Sequence, residues 1–327
     1  MYFFIVLQLF LYIFSIKLLK HKPLFVALTI LHLIVCFIVR DMTPFSINAD
    51  YDAYYYGYGD LDFSTPWFLR LFREPYFYYL KSIAGLFAFD KKEMFNYIYY
   101  FNFSISALFF IWLAQLKDVA LWKKVIFYVI YYFLFSFTVL RNSPAYILVT
   151  ILFYYLQRDK RWYWGYLAFF AHISSIIALG VSVFKNKKPT FKFLIYAISA
   201  CVLIFVFSKI PIFSALLFKF DAYSTLARKA SISHIVFFLA FNCATIFVYF
   251  KNRKIVFNNV YILLYLICVV LFTINPVMFF RFSIYAISYL ITSPTEKLTS
   301  IDKILNNAVF LLFFYFIYTF NANNITI

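Results

Sequence analysis

The residues best suited to chemistry in this sequence are arginines, carboxylates, tyrosines and one histidine that interrupt long apolar stretches. The densest group lies in residues 40–76, which hold six of the thirteen acidic residues and only three arginines, although the chain as a whole carries +17. Three further candidates stand apart from it: Arg141, His172 and Arg281. A guanidinium binds phosphate oxygens in pairs and stays charged, and carboxylate or imidazole groups accept protons from sugar hydroxyls. Together these residue types predict a site that binds a phosphate or diphosphate group and polar groups such as hydroxyls.

The composition predicts that these residues are carried by a membrane protein. The chain is 65% hydrophobic with a mean hydropathy of +0.84, whereas a soluble domain is roughly 45–50% apolar. Lysines occur in short clusters between apolar stretches, which favours the positive-inside pattern over a nucleic-acid surface. Four cysteines lie singly in apolar runs, as buried small hydrophobes do. We expect one all-α polytopic integral membrane domain over residues 1–327, with about eleven or twelve transmembrane helices.

The first two apolar stretches, residues 2–16 and 24–39, set the predicted sidedness. Three lysines between them place residues 17–22 in the cytoplasm, so residues 40–76 fall on the outer face. Inside this outer loop, Thr65 and Pro66 predict the start of an amphipathic helix lying in the membrane interface. The loop supplies Asp50 and Tyr54, four residues apart and on one face of any helix formed there, and also Arg73 and Glu74.

Two arginines sit at predicted helix starts. Arg141 precedes Asn142, Ser143 and Pro144, a cap followed by a proline suited to a first helical turn. The apolar run 145–156 is too short to cross about 30 Å, so its span should begin or end in irregular backbone. Arg281 follows a similar Asn-Pro pair by more than a turn, with Tyr285 four residues later on the same face. Such depth makes Arg281 a functional candidate, with a structural ion pair as the alternative.

Residues 162–184 pose a topological problem. Basic clusters at 158–161 and 185–188 flank this one apolar stretch, and both favour the cytoplasm. Either one cluster breaks that tendency, or the stretch is a broken, re-entrant element with His172, Ser174 and Ser175 near its middle. The second alternative is favoured here, and irregular backbone at membrane depth is tolerated only where it lines a cavity or packs in protein. A lone histidine in an apolar helix is equally compatible with simple packing.

In order and spacing, residues 1–295 resemble the EpsG-like branch of the Wzy-type polysaccharide polymerases. The matching features are an arginine after span two, an Asp-x-x-x-Tyr loop, Arg-Glu-Pro, Leu-Arg at a helix start, His-x-Ser and a late Arg-x-x-x-Tyr. In this sequence they are Arg40; Asp50 and Tyr54; Arg73, Glu74 and Pro75; Leu140 and Arg141; His172 and Ser174; Arg281 and Tyr285. The family's glutamine after Leu-Arg is replaced by Asn142, so no role is carried over for that side chain.

The resemblance implies a helical fold of GT-C type and a bacterial inner-membrane enzyme with its active site facing the periplasm. It implies transfer of a growing glycan from undecaprenyl diphosphate to the non-reducing end of a new lipid-linked repeat unit, without nucleotide sugar, cofactor or metal. The diphosphate candidates are Arg141 and Arg281, then Arg40 and Arg73. The sugar-binding candidates are Tyr54, Glu74 and Tyr285. The base is His172 or Asp50, and the sequence does not choose between them.

The partners expected from this resemblance are undecaprenyl-diphosphate-linked oligosaccharides, membrane lipid and a chain-length regulator protein, with no nucleic acid. An Asp50/Asp52 pair could instead bind a divalent metal, but two carboxylates are a weak signal. Three other functions stay open: a lipid-linked oligosaccharide flippase, an O-antigen ligase-like transferase and a non-catalytic assembly subunit. The chain lacks the two similar halves typical of a flippase and the large late outer loop typical of a ligase.

The sidedness can be tested by labelling Ser64→Cys in intact cells with a membrane-impermeant thiol reagent. We expect labelling without lysis. The lysines at 17–22 favour the cytoplasm, so the second span carries the chain across to the outer face before residue 64. A cysteine in place of Lys20 is the control and should react only after lysis. Protection of Ser64→Cys until lysis would contradict the predicted topology.

Overall fold

The computed structural model describes residues 1–43, 55, 75–172, 174–185, 231–274, 276–295 and 298–325, and these ranges contain helices and no strands. The predicted all-helical fold is therefore confirmed for this part of the chain. The α-helices in chain order are α1 (Tyr2–Lys17), α2 (Lys22–Asp41), α3 (Pro75–Gly85), α4 (Lys91–Gln115), α5 (Leu121–Phe133), α6 (Ser143–Leu156), α7 (Ala168–Ala171), α8 (Ser175–Ser182), α9 (Ile232–Lys251), α10 (Arg253–Val256), α11 (Asn259–Ile274), α12 (Pro276–Ile291), α13 (Ser300–Ala308) and α14 (Leu312–Ile325).

Five helical segments of the described ranges are long and apolar enough to cross a membrane. They are α2, α4, residues Leu121–Thr138, α9 and Ser300–Asn321, and shorter apolar helices include α1, α6 and α12. This is the length and composition expected of a helical membrane protein. The predicted count of eleven or twelve spans and the single domain stay predictions. The predicted span at 193–207 and the predicted interfacial helix after Thr65 fall on residues outside the described ranges.

The polypeptide divides into two compact units. Unit one comprises residues 1–61, 76–147 and 294–327, and unit two comprises residues 62–75 and 148–293. Unit one is built mainly from α1 to α5 with α13 and α14. Unit two contains most of α6 and all of α7 to α12.

A buried polar cluster joins α1, α2 and α5 at the centre of unit one. The Tyr128 hydroxyl accepts a hydrogen bond from Gln8 Nε2 at 2.7 Å and lies 2.8 Å from His32 Nε2. The ring of Tyr12 stacks on Tyr128 with 4.0 Å between centroids. All four side chains are at most 1% exposed. Buried polar groups are usually hydrogen-bonded. The Tyr128 hydroxyl is the shared partner of the Gln8 amide of α1 and the His32 imidazole of α2.

A backbone break separates α5 from α6 in unit one. Helix α5 continues as a π-helix, Leu134–Thr138, before a turn that leads into α6 at Ser143. Asn102 donates from Nδ2 to the Phe135 carbonyl at 2.6 Å, and Ser143 Oγ donates to Asn102 Oδ1 at 2.5 Å. The Asn102 amide thus pairs a carbonyl of the π-helix, and Ser143 fixes the orientation of that amide. The prediction that the short run 145–156 adjoins irregular backbone is confirmed, and α6 begins where the Ser-Pro pair predicts.

We expect Tyr128→Phe to lower the free energy of unfolding by about 1–3 kcal/mol, because it leaves buried Gln8 and His32 groups without their shared partner. Thermal unfolding in detergent micelles measures the change. Tyr97→Phe is the control, since it removes an exposed hydroxyl bonded to Glu93 at 2.7 Å and should leave the melting temperature nearly unchanged. Equal melting temperatures for both variants would show that the cluster contributes no stability.

Candidate functional site

In unit two, residues 160–185 leave the end of α6 and return to it. Lys185 Nζ lies 2.6 Å from the Asp159 carboxylate and also donates to the Leu156 carbonyl at the same helix end. Between these ends the chain forms a 3-10 helix, Tyr163–Leu167, then α7, a break and α8. We call residues 160–185 the hairpin. The predicted break within residues 162–184 is confirmed, and Lys185, the first residue of the second basic cluster, lies at the end of α6. Residues 186–188 lie outside the described residues, and re-entry into a membrane stays a prediction.

The C-terminus of α6 turns the chain into the hairpin. Asp159 has a φ of 56°, in the left-handed region that aspartate tolerates better than most residues. The Lys160 N–H then bonds the Tyr155 carbonyl at 3.0 Å and the Asp159 N–H bonds the Leu156 carbonyl at 3.2 Å, the pattern of a Schellman cap. The Lys185 hydrogen bond lowers the pKa of the Asp159 carboxyl. Because that carboxyl is mostly exposed, we expect the ion pair to add little to the stability of the fold. It does show that Lys185 lies at the C-terminal end of α6.

The break in the hairpin falls at His172, where the backbone is extended with φ −155° and ψ 133°. Its polar groups are satisfied locally. The His172 N–H bonds the Ala168 carbonyl at 3.0 Å, and the His172 carbonyl accepts from Ser175 N–H at 3.1 Å and from Ser175 Oγ at 2.7 Å. The Ser174 N–H donates to His172 Nδ1 at 3.1 Å. The His-x-Ser-Ser sequence therefore supplies the partners that an interrupted helix loses.

Hydrogen bonds at the break fix the direction of a short chain of polar groups. Ser174 Oγ lies 2.6 Å from His172 Nδ1 and 3.2 Å from the Tyr285 hydroxyl. The Ser174 backbone N–H can only donate, so Nδ1 is the unprotonated nitrogen of the neutral imidazole and must also accept from the Ser174 hydroxyl. The Ser174 oxygen then accepts from Tyr285. Donation runs from Tyr285 through Ser174 to His172.

Helix α12 carries Tyr285 and, one turn earlier, Arg281. Four residues separate them, about 6 Å along the axis. Tyr285 is 0% exposed and His172 is 8% exposed, whereas Ser174 and Arg281 are half-buried. Beyond Tyr285, α12 is tied to the end of α6, because Gln157 Nε2 donates to the Tyr289 carbonyl at 2.7 Å and Arg158 Nη1 to the Thr292 carbonyl at 3.1 Å. The structure thus brings the predicted residues His172 and Tyr285 together through Ser174, with Arg281 on the adjoining turn.

Arg40 lies in the last turn of α2 in unit one, against three aromatic side chains. Its guanidinium carbon lies 5.3 Å from the Tyr99 ring centroid and 5.5 Å from those of Tyr100 and Phe137. Nη1 donates to the Thr43 carbonyl at 2.8 Å, and the side chain is 1% exposed. These contacts hold a cation at the end of an apolar helix by cation–π attraction and a backbone acceptor.

The remaining predicted residues divide into two groups. Arg141 lies half-buried in the turn between the π-helix and α6, in unit one with Arg40. His172, Arg281 and Tyr285 belong to unit two. Asp50, Tyr54, Arg73 and Glu74 lie outside the described residues. The convergence of the four arginines on one diphosphate therefore stays a prediction, as does the alternative base Asp50.

We compared the chain with protein-family models, curated proteins and solved structures. No family model, no curated protein and no solved structure matches the chain. Within the described ranges, no group of three or more His, Cys, Asp or Glu side chains could hold a metal ion. The Asp50/Asp52 pair lies outside them.

Sequence reasoning missed two kinds of contact. It named Ser174 beside His172 but not the hydrogen bond to Tyr285, more than a hundred residues away in the chain. It also missed the three aromatic side chains that contact the Arg40 guanidinium. Many tyrosines and phenylalanines populate this sequence, so none of Tyr99, Tyr100 or Phe137 stands out as a partner. The only usable signal was the four-residue spacing of Arg281 and Tyr285.

The hairpin packing can be tested at Gly165. A Cβ there would lie 2.7 Å from Leu152 Cβ, so Gly165→Ala forces α6 and the 3-10 helix apart and should cost about 1–3 kcal/mol. Gly180→Ala is the matched control, since nothing lies within 4 Å of its added Cβ. In helix α8 that change should stabilise by about 0.5–1 kcal/mol. Limited proteolysis and thermal unfolding measure both, and a tolerated Gly165→Ala would contradict the close approach.

Proposed function

We propose that this chain is a multi-pass membrane glycosyltransferase of the Wzy type. It transfers a glycan from an undecaprenyl diphosphate carrier to the non-reducing end of a lipid-linked repeat unit. The observation that carries the proposal is the hairpin. It holds His172 and Ser174 against Tyr285, one turn from an arginine inside an apolar helix.

The charges at the hairpin ends support its placement in a membrane. Arg158, Lys160, Arg161 and Lys185 gather at one end of α6, and such clusters face the cytoplasm. The hairpin then enters the membrane from the cytoplasmic side and returns to that side, with His172 at its tip, toward the outer face. Irregular backbone at that depth persists where it lines a protein or aqueous cavity, which is the setting that a lipid-linked sugar diphosphate needs. This placement is compatible with a GT-C-like architecture.

Glycosyl transfer from a diphosphate requires two contributions from the protein. The diphosphate is a good leaving group whose developing charge must be stabilised, which fixed guanidinium groups do well in a low-dielectric site. Arg281 is our first candidate for this role, with Arg141, Arg40 and Arg73 as further ones. The acceptor hydroxyl must be oriented and deprotonated, and the His172–Ser174–Tyr285 chain offers acceptors for that proton. Tyr54 and Glu74 remain candidates for binding sugar.

A deletion strain distinguishes this function from its alternatives on one gel. A polymerase mutant should carry a single repeat unit on its final acceptor, because synthesis, flipping and ligation of one unit proceed without it. Loss of a flippase would leave the surface bare, and loss of a ligase would accumulate long chains on undecaprenyl diphosphate. Long chains of normal length on the final acceptor would exclude all three.

Variants of Arg281 test the site in the same assay. We expect Arg281→Ala to reproduce the single-unit pattern and Arg281→Lys to restore little, because an ammonium lacks the paired donors of a guanidinium. Arg253→Ala is the control. It removes an exposed arginine of the same unit that lies over the Tyr249 ring, and chain length should stay normal. Normal chains in Arg281→Ala, at equal protein level, would remove Arg281 from the site.

A further inference from the structure

We propose that Ser174 is the catalytic residue that takes the acceptor's proton and passes it to His172, and that Tyr285 is a positioning residue for Ser174. The inference rests on the proposed glycosyl transfer and deepens it. Its basis is the arrangement of three hydrogen-bonding groups whose direction is fixed by one backbone N–H.

Exposure decides where a substrate hydroxyl can enter this chain. Tyr285 is completely buried and His172 nearly so, whereas Ser174 is only partly buried. His172 Nδ1 is already occupied by the Ser174 N–H and hydroxyl. A sugar hydroxyl therefore reaches the histidine through the Ser174 oxygen.

The Ser174 hydroxyl has the one hydrogen-bond donor and the two acceptor lone pairs that a proton relay needs. Its hydrogen points to Nδ1, and its two lone pairs are available as acceptors. The Tyr285 hydroxyl uses one of them, at 3.2 Å. The other can accept the acceptor sugar's O–H. By taking one lone pair, Tyr285 fixes the orientation of the serine oxygen and leaves the other lone pair for the acceptor hydroxyl.

The transfer balances with these groups alone. The acceptor O–H proton moves to Ser174 Oγ as the Ser174 proton moves to His172 Nδ1. This leaves an imidazolium whose Nδ1–H donates to Ser174 Oγ and no longer accepts from the Ser174 backbone N–H. The acceptor oxygen bonds the anomeric carbon of the donor sugar. The bond from that carbon to the phosphate oxygen breaks, and its electron pair leaves with the diphosphate. After the products depart, the imidazolium returns its proton through Ser174 to water.

Ser174→Ala tests the relay cleanly, because it keeps the backbone N–H that bonds Nδ1. With the single-unit undecaprenyl diphosphate glycan extracted from the deletion strain as substrate, we expect kcat to fall by about 10²–10⁴-fold, the usual contribution of general acid–base catalysis. KM should change little. Ser174→Thr retains a hydroxyl and should recover most of the rate, whereas Tyr285→Phe should give an intermediate loss.

Two controls separate catalysis from folding. Ser182→Ala removes a buried hydroxyl of helix α8 that donates to the Leu179 carbonyl at 2.6 Å, and its kcat should match the unmodified protein. Rates measured in mixtures of H2O and D2O add a readout that a structural role would not change. Two protons in flight curve the dependence on deuterium fraction, and Ser174→Ala should make it linear.

The outcomes distinguish the inference from the proposed function. Full kcat in Ser174→Ala, alongside a single-unit pattern in the deletion strain, would overturn the relay and leave the polymerase intact. A glycan covalently trapped on Ser174 would also overturn it, because the serine would then be a nucleophile. Failure of the unmodified protein to extend the extracted glycan would count against the proposed function itself.

Discussion

The structure of unit two depends on one constraint: a backbone break among apolar helices must find hydrogen-bond partners within the protein. Each unpaired N–H or C=O in such surroundings costs on the order of a few kcal/mol. At His172 the partners come from the break itself, through Ser174 N–H to the imidazole and Ser175 to the His172 carbonyl. The hairpin can therefore fold back at that point, and its two ends meet where Lys185 contacts Asp159.

The hydrogen bonds that stabilise the backbone break also orient the side chains of His172 and Ser174. An imidazole whose Nδ1 accepts from a backbone amide is held in one tautomer and one orientation. That leaves the Ser174 hydroxyl directed at Nδ1 and its oxygen open to other donors. A comparable device occurs at the π-helix of unit one, where Asn102 Nδ2 donates to the Phe135 carbonyl and Ser143 Oγ donates to Asn102 Oδ1, two residues from Arg141. In both places, polar residues that stabilise irregular backbone adjoin an arginine or histidine.

Much of the fold could be predicted from the sequence, because hydrophobicity and charge act locally. The helices around residues 2–17 and 22–41, the start of α6 and the break near His172 follow from apolar runs, prolines and basic clusters. The site could be predicted only in part. The Arg281–Tyr285 spacing is local, but the pairing of Tyr285 with Ser174 and of Arg40 with Tyr99 depends on packing between distant segments. Among so many similar aromatic residues, pattern alone cannot identify the partners.

The most direct test of the account is the distance between the two ends of the hairpin. Spin labels on Lys160→Cys and Val183→Cys, in a background lacking Cys36, Cys201, Cys243 and Cys268, can be measured by double electron–electron resonance in lipid nanodiscs. Both positions are exposed and the Lys185–Asp159 contact is kept. A hairpin that returns to the end of α6 predicts a label separation below about 25 Å, because both positions lie within two residues of that contact. A continuous membrane-crossing helix would separate these residues by about 35 Å. A separation near that larger value would contradict the hairpin and, with it, the placement of His172 and Ser174 beside Tyr285.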